Sequence, residues 1–258
     1  MATSAVLQKI LSVDQLRLER RVGGIFDCDA NGCYDRIIPP LALIHLYALG
    51  LEKEIGTLLA RLMFMARRHV KIKQGVSTRS IRTKKKSPLY GIGQGNGGGP
   101  AIWLAHLTIM FTALSHMCSG LVMADINRLI RLTTVGTGYV NDVTMVVSVE
   151  KDELQNISMI KKILKIVTTK WEKLLFLTGG KLELSKCFWV PINWGWRKGC
   201  PVLKQTRRRS SELHIVDSET GEPVKIPLLT TTAAPKRLGI RYSVDSSWRE
   251  EYTFWKNS

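Results

Sequence analysis

The sequence predicts an α+β fold, in which antiparallel strands and helices follow one another irregularly. Short β-branched runs bounded by turn residues indicate strands, as in GTGYVNDVTMVVSV at 136–149. Apolar residues at three- and four-residue spacing over 154–175 indicate an amphipathic helix. The sequence shows neither regular βα units nor an internal repeat. With 258 residues and 45% hydrophobic content, the chain is long enough for one large domain, or for a domain with an appendage.

The first quarter of the chain predicts one strand among helices. The apolar stripe of an N-terminal amphipathic helix consists of Val6, Ile10, Leu11 and Leu16. Residues 21–30 predict an apolar strand. Pro39 opens a helix that Gly50 closes, and a second helix covers about 52–68.

The rest of the chain predicts two long helices and several strands. A basic linker at 78–88 and a glycine cluster, GIGQGNGGGP, precede a buried helix over 101–117. The hairpin at 136–149 turns at Asn141-Asp142, and the helix that follows ends at Gly179-Gly180. Further strands are predicted at 181–184, 187–194, 212–217, 223–227 and 238–243. The C-terminal tail, SSWREEYTFWKN, predicts a last helix.

The charge of the chain points to a polyanionic partner. Its 38 Lys and Arg residues against 21 Asp and Glu give a net charge of +17. Nucleic acid is the commonest partner of such a surface, and an ordinary basic surface is the alternative.

Cysteine usage and hydropathy indicate an intracellular, reducing compartment. The five cysteines are scattered and lack zinc-ligand spacing. No apolar run reaches the length of a membrane span, and the N-terminus lacks the long apolar region of a secretory signal. The sequence therefore predicts no membrane partner.

Acidic residues and glycines mark three stretches that a chemical function has to explain together. Asp27 and Asp29 end a strand at alternate positions, so both point to one face. Asp142 stands at a hairpin tip, 142 − 29 = 113 residues beyond Asp29. Carboxylates on adjacent strands hold hard divalent cations, although each aspartate alone fits a turn or a solvated position. The glycine cluster fits either a flexible loop or close backbone approach to a flat partner.

Taken in order, four stretches of the sequence resemble the motifs of reverse transcriptases. They are FDCDANGCYDRI, GIGQGNGGGPAIWL, GYVNDVTM and TGGKLELSKCFWV, within 25–36, 91–104, 136–149 and 178–196. The residues of these stretches are most similar to those of non-retroviral retroelement enzymes of single-celled eukaryotes. The resemblance implies a polymerase palm, an antiparallel sheet with packed helices, over residues 1–200. Residues 201–258 would form a C-terminal extension, a remnant of a thumb or connection.

The resemblance also implies the roles of individual residues. Asp29 and Asp142 match the catalytic aspartates, and the implied metal ligands are Asp29, the Ala30 carbonyl, Asn141 and Asp142. The implied nucleotide-binding residues are Tyr34, Gln94, Gly95 and Lys186. Trp194, Gly195 and Trp196 match the primer grip. The implied cofactor is Mg²⁺, with Mn²⁺ as a substitute. The implied partners are an RNA template, a DNA primer, their duplex and deoxynucleoside triphosphates.

Two departures from the family pattern bear on activity. Asn141 stands where the family has the first aspartate of its hairpin, so the predicted site lacks one negative charge. The fingers section that precedes the first motif in the family is largely missing. With these departures, the resemblance implies an RNA-directed DNA polymerase of weakened activity. The alternatives are an inactive nucleic-acid-binding remnant of such an enzyme, and a partial product that does not fold stably alone.

Overall fold

The computed structural model confirms the α+β class. It describes residues 2–82, 91–92, 97–125, 127, 129–149, 156–204, 212–233, 235–237, 240–241, 243–244 and 249–257. The helices are α1 (Ala2–Leu18), α2 (Cys33–Arg36), α3 (Pro39–Ala48), α4 (Lys53–Met65), α5 (Gly99–Met117), α6 (Ile157–Leu177) and α7 (Arg249–Asn257), with a 3₁₀ turn at Leu184–Lys186.

The strands form one central sheet and five two-stranded ribbons. Those of the central sheet are β1 (Gly23–Asp29), β6 (Gly136–Tyr139), β7 (Asp142–Ser148) and β8 (Phe188–Ile192). The ribbons are β2 (Arg68–Ile72) with β3 (Gly75–Ile81), β4 (Leu121–Ala124) with β5 (Arg131–Thr134), β9 (Trp194–Arg197) with β10 (Cys200–Leu203), β11 (Leu213–Val216) with β12 (Pro223–Ile226), and β13 (Lys236–Arg237) with β14 (Ile240–Arg241).

Strand β1 lies inside the central sheet and fixes its geometry. The strand order is β6-β7-β1-β8, and β1 is antiparallel to both of its neighbours. Every residue of β1 is buried. At Gly24 a Cβ would stand 2.6 Å from the Ile160 side chain, so glycine lets α6 approach the strand closely. The strand is therefore held on both edges and on the face that α6 covers.

The two faces of β1 differ in what covers them. Phe26 and Cys28 belong to the larger core cluster, with Trp103 of α5 and Trp171 of α6. Ile25 belongs to a second cluster, with Val13 and Leu16 of α1. Because side chains alternate along a strand, Asp27 and Asp29 lie on the Ile25 face, the one that α1 partly covers.

The long helices and the central strands agree with the sequence predictions, whereas several boundaries differ. The helix predicted over 52–68 ends at Met65, and the ribbon β2–β3, which was not predicted, follows and overlaps the start of the linker predicted at 78–88. The ribbon β4–β5 was not predicted. The stretch 181–184 makes an isolated bridge between Leu182 and Ala30, the residue that follows β1, instead of a strand. On α1, Leu11 is 51% exposed and Val13 is buried in its place.

Part of the predicted C-terminal extension shares the larger core. Leu213, Ile215 and Ile226 of the β11–β12 ribbon belong to the same cluster as α5 and α6. The division of the chain at residue 200 remains a prediction. Among the described residues, no helix is both long and apolar enough to cross a bilayer. All five cysteines are free thiols.

A buried histidine pair links two helices of the core. The Nδ1 atoms of His45 on α3 and His106 on α5 lie 2.9 Å apart, and the Trp103 ring stacks on His106 with centroids 5.8 Å apart. Burial, and secondarily the charge of His45, lowers the pKa of His106 to about 4. The pair was not predicted, because nothing in the spacing of the five histidines indicates which two meet.

This pair predicts a loss of stability in mild acid. The folded-state pKa of His106 lies below the ordinary value of 6.5, so the unfolded chain binds more protons between these two values. The free energy of unfolding is expected to fall by about 3 kcal/mol as the pH drops from 7 to 4, in addition to the effect of the carboxylates. Urea unfolding of the wild type and His106→Gln across this range measures the difference. The exposed His116→Gln is the control, and equal pH profiles for all three would contradict the prediction.

Candidate active site at the end of the central strand

The predicted catalytic aspartates meet where β1 and β7 begin to separate. In the register of this pair, Asp29 lies directly opposite Asp142, and Asp27 lies opposite Thr144. Directly opposed residues of antiparallel strands have Cβ atoms about 4.5–5.5 Å apart on one face. The sheet thus brings together two carboxylates that are far apart in sequence. Asp29 is 4% exposed, whereas Asp142 is half-buried.

Both carboxylate oxygens of Asp29 have partners within the protein. The amide nitrogen of Asn141 donates a short hydrogen bond to Oδ1. The Lys186 ammonium lies 2.8 Å from Oδ2, at the end of a side chain that is 61% exposed. The Ala30 amide also donates to the Asn141 carbonyl at 2.8 Å. Four of the predicted site residues, Asp29, Ala30, Asn141 and Lys186, therefore form one connected group.

The turn of the hairpin next to Asp142 lies one residue earlier in the chain than predicted. Tyr139 pairs with Asp142, so the two loop residues are Val140 and Asn141 rather than Asn141 and Asp142. Val140 has a φ of 55°, a left-handed conformation that is unfavourable for a β-branched side chain. The indole of Trp103 donates a short hydrogen bond to the Val140 carbonyl. Helix α5 thereby holds the tip in its strained conformation.

Asp27 is engaged by a cation that the sequence did not indicate. Its carboxylate accepts from the Lys9 ammonium at 2.5 Å and from the Thr144 hydroxyl. The exposed fraction is 13% for the Lys9 side chain and 4% for that of Asp27. Asp27 thus shares the face of Asp29, as its alternate position predicts, but it is already neutralised. A buried aspartate calls for a partner; which of the 38 basic residues supplies it was not visible in the sequence.

Tyr34 lines two cavities beside the carboxylate pair. A cavity of about 150 Å³ is bordered by Ala30, Tyr34 and Asn141. A second one, of about 590 Å³, lies between α1, α5 and the β6–β7 hairpin and is bordered by Tyr34, Trp103 and Tyr139. Burial, with smaller contributions from Cys33 and Tyr139, raises the pKa of Tyr34 above its ordinary value of 10.0. The phenol is therefore a neutral hydrogen-bonding group at physiological pH.

Cys33 borders the smaller cavity but is not an activated nucleophile. Burial is the main cause that raises the pKa of its thiol to about 11. The thiol remains protonated at neutral pH, and only a thiolate attacks efficiently. The carboxylates, the amide and Lys186 are therefore the groups through which this end of the sheet can act.

The structure describes only the borders of the predicted glycine motif. Gln94 and Gly95 lie outside the described residues. Before them, the Gly91 amide donates to the Ile37 carbonyl at 2.8 Å, and the Ile92 amide donates to the Tyr34 carbonyl at 2.9 Å. The segment that enters the glycine motif is therefore fixed against α2 and the residue after it, directly behind Tyr34.

The predicted primer grip forms the β9–β10 ribbon. Trp194 packs against the second core cluster, and Trp196 is 37% exposed. The guanidinium of Arg20 stacks on the Trp196 ring, 4.3 Å from its centroid. Lys198 and Gly199, both with positive φ, form the tight turn of the ribbon. A role of Trp194, Gly195 and Trp196 toward a primer remains a prediction.

The solved structures to which this chain is distantly similar include two telomerase structures. No protein-family model matches the chain, and no curated protein matches it. A telomerase structure from Candida tropicalis, in complex with a fragment of telomeric RNA, is 14% identical with a TM-score of 0.43. That alignment covers 87% of this chain and 32% of the telomerase chain. An apo form of that telomerase truncated from its C-terminal domain gives the same identity and TM-score, with coverages of 86% and 40%. The chain thus spans well under half the length of either telomerase chain.

Proposed function

We propose that this chain is a reverse-transcriptase palm from a retroelement that adds nucleotides to a primer 3′-hydroxyl under the direction of an RNA template. The observation that carries the proposal is the register that sets Asp29 directly opposite Asp142. Both aspartates belong to stretches that resemble reverse-transcriptase motifs, and these stretches follow one another in the order found in that family. The basic charge of the chain suits a primer–template duplex as partner. The activity is expected to be low, because one carboxylate of the motif is replaced by Asn141.

The donor groups at this position fit a hard divalent cation. Asp29, Asp142, the Asn141 amide and the Ala30 carbonyl provide oxygen ligands, which Mg²⁺ and Mn²⁺ prefer. No group of three or more His, Cys, Asp or Glu side chains suited to a metal occurs among the described residues, so the amide would have to contribute. Rotating the Asn141 amide by half a turn exchanges its nitrogen for its oxygen toward Asp29. The amide nitrogen donates to Asp29 in the structure, and after this rotation the amide oxygen would be a ligand to a cation shared with Asp29.

The protein side chains would divide the remaining work. When bound, Mg²⁺ would neutralise charge on the reacting phosphates. Tyr34 would border the nucleotide sugar with its neutral ring. Lys186, whose side chain is 61% exposed, would move from Asp29 to the phosphate end of a nucleotide. Asp29 and Asp142 would hold the cation and orient the reacting groups.

A second candidate function is nucleic-acid binding without chemistry. Its support is that Asn141 and Lys186 already occupy both oxygens of Asp29. To bind Asp29, a divalent cation has to displace the Lys186 ammonium, which already neutralises this carboxylate. A chain in which this displacement fails would retain a basic surface and bind duplex in a salt-dependent manner.

Primer extension on an RNA template tests the proposal. The wild type is compared with Asp29→Asn, with Mg²⁺ and with Mn²⁺, while duplex binding is measured in parallel. Template-dependent extension that Asp29→Asn reduces at least about 100-fold is expected, since an electrostatic group of a reacting site is worth that much. Duplex binding without extension by the wild type in either metal would favour the second function.

A further inference from the structure

The charge of the chain is distributed unevenly, and one region carries only positive charge. Between Glu54 and Asp125 the sequence contains no acidic residue. The same region contains ten basic residues: Arg61, Arg67, Arg68, Lys71, Lys73, Arg79, Arg82, Lys84, Lys85 and Lys86. A field of one sign over such a stretch attracts a polyanion and is not balanced by nearby carboxylates along the chain.

Four of the seven described Lys and Arg residues of this region lie on the β2–β3 ribbon: Arg68, Lys71, Lys73 and Arg79. Most residues of the two strands are exposed, and the register places a two-residue turn, Lys73 and Gln74, at the tip. Lys71, Lys73 and Arg79 are exposed, and within the described part of the chain they have no carboxylate partner. These cations are therefore available to bind an anionic ligand.

The base of this ribbon is attached to the candidate active site. The Arg68 guanidinium donates to the Gly91 carbonyl at 2.8 Å. Gly91 in turn donates to Ile37, and the next residue, Ile92, donates to Tyr34. A Cβ on Gly91 would stand 2.5 Å from the Asp35 carbonyl oxygen, so this attachment is tightly packed. The ribbon thus starts beside the cavity that Tyr34 borders.

The side chains of the ribbon suit phosphates rather than bases. Hydroxyl groups at Thr78 and Ser80 accompany Arg79, and cations and hydroxyls are the usual donors to phosphate oxygens. The stretch 66–82 contains no Phe, Tyr or Trp, so it lacks the aromatic platforms on which bases stack. We propose that the β2–β3 ribbon is an arm that binds the phosphate backbone of a nucleic-acid strand beside the site, without regard to base sequence.

Binding of single-stranded oligonucleotides as a function of salt tests the arm. The variant Lys71→Gln/Lys73→Gln/Arg79→Gln removes three charges from exposed positions. The matched control, Lys162→Gln/Lys165→Gln/Lys173→Gln, removes three from the exposed face of α6. Fluorescence anisotropy with labelled RNA and DNA of mixed and uniform sequence gives the affinity, and circular dichroism melts check that all variants fold.

The arm variant is expected to bind at least about tenfold more weakly at low salt. Its slope of log affinity against log salt should fall by about 2, because each phosphate contact on a single strand contributes about 0.7. The control should lose less than about threefold in affinity. The loss of affinity of the arm variant should be equal for all base sequences. Equal losses for arm and control, or no loss for the arm, would overturn the proposal. Displacement of the oligonucleotide by polyglutamate at equal charge would point to an acidic protein instead.

The arm is tested separately from the chemistry. The oligonucleotide assay involves no primer extension, so it measures the effect of the arm whether or not the chain is catalytically active. A chain that fails to extend primers and still shows the arm effect would contradict the proposed polymerase function and support the arm. The reverse pattern would contradict the arm alone.

Discussion

Replacing Asn141 with aspartate is expected to raise Mg²⁺-dependent primer extension by at least about 100-fold. The substitution restores one negative charge beside Asp29 and Asp142, and unit charges 4 Å apart interact by about 4 kcal/mol at an effective dielectric constant of 20. The side chain keeps its shape, so the strained tip at Val140 and its contact with Trp103 need not change. The substitution acts on the group that holds the cation and leaves the backbone as it is.

The same variant has a readout that does not depend on activity. In the wild type the Asn141 amide donates to Asp29, whereas an aspartate there places two carboxylates side by side. Asn141→Asp is therefore expected to melt at a lower temperature without metal, and to gain more from Mg²⁺ or Mn²⁺ than the wild type does. Asn127→Asp, at an exposed position, carries the same change in charge as a control. If Asn141→Asp gains neither extension nor metal-dependent stability, this end of the sheet does not hold the cation.

Removing the ammonium of Lys9 is expected to cost about 3–5 kcal/mol of unfolding free energy, a large part of the total stability of a domain. Lys9→Met leaves Asp27 charged inside the protein with only the Thr144 hydroxyl as a described partner. A buried charge without its counter-ion is among the most destabilising changes a single substitution makes. Urea unfolding followed by tryptophan fluorescence measures the loss.

A double-mutant cycle separates the charge from the packing of α1. In Lys9→Met/Asp27→Asn no buried charge remains, and the amide can still accept from Thr144, so most of the lost stability should return. Lys162→Met on the exposed face of α6 is the control and should change stability little. A loss below about 1 kcal/mol for Lys9→Met would show that water reaches the pair and that α1 is held by its apolar residues alone.

Local pattern was sufficient to predict the elements that position the site. The spacing of Ile160, Leu164, Val167, Trp171 and Leu175 predicts α6, and all five are buried against the sheet. The strand at 21–30 and the hairpin at 136–149 were predicted from β-branched runs and turn residues. These signals suffice because a helix or strand with one buried face repeats it along the chain.

Features that depend on tertiary packing could not be predicted from the sequence. The β2–β3 ribbon was missed because its strands are rich in cations and lack the alternation of a half-buried strand. The hairpin turn was predicted one residue late, since Asn and Asp favour turns more than the Val140 that occupies the positive-φ position. Lys9 with Asp27, and His45 with His106, are pairs set by packing rather than by local pattern.

The pairing of β1 has a consequence for how the protein is made. Its neighbours are β7 and β8, and the first of them to be synthesised, β7, ends at Ser148, 148 − 29 = 119 residues beyond Asp29. At ribosomal speeds of about 5–20 residues per second, the nascent chain carries β1 without either partner for roughly 6–24 s. Throughout that time an apolar strand with two open edges is exposed to other chains. Assembly of the central sheet is thus a late event of synthesis, and a cell that makes this protein has to shield its first strand until then.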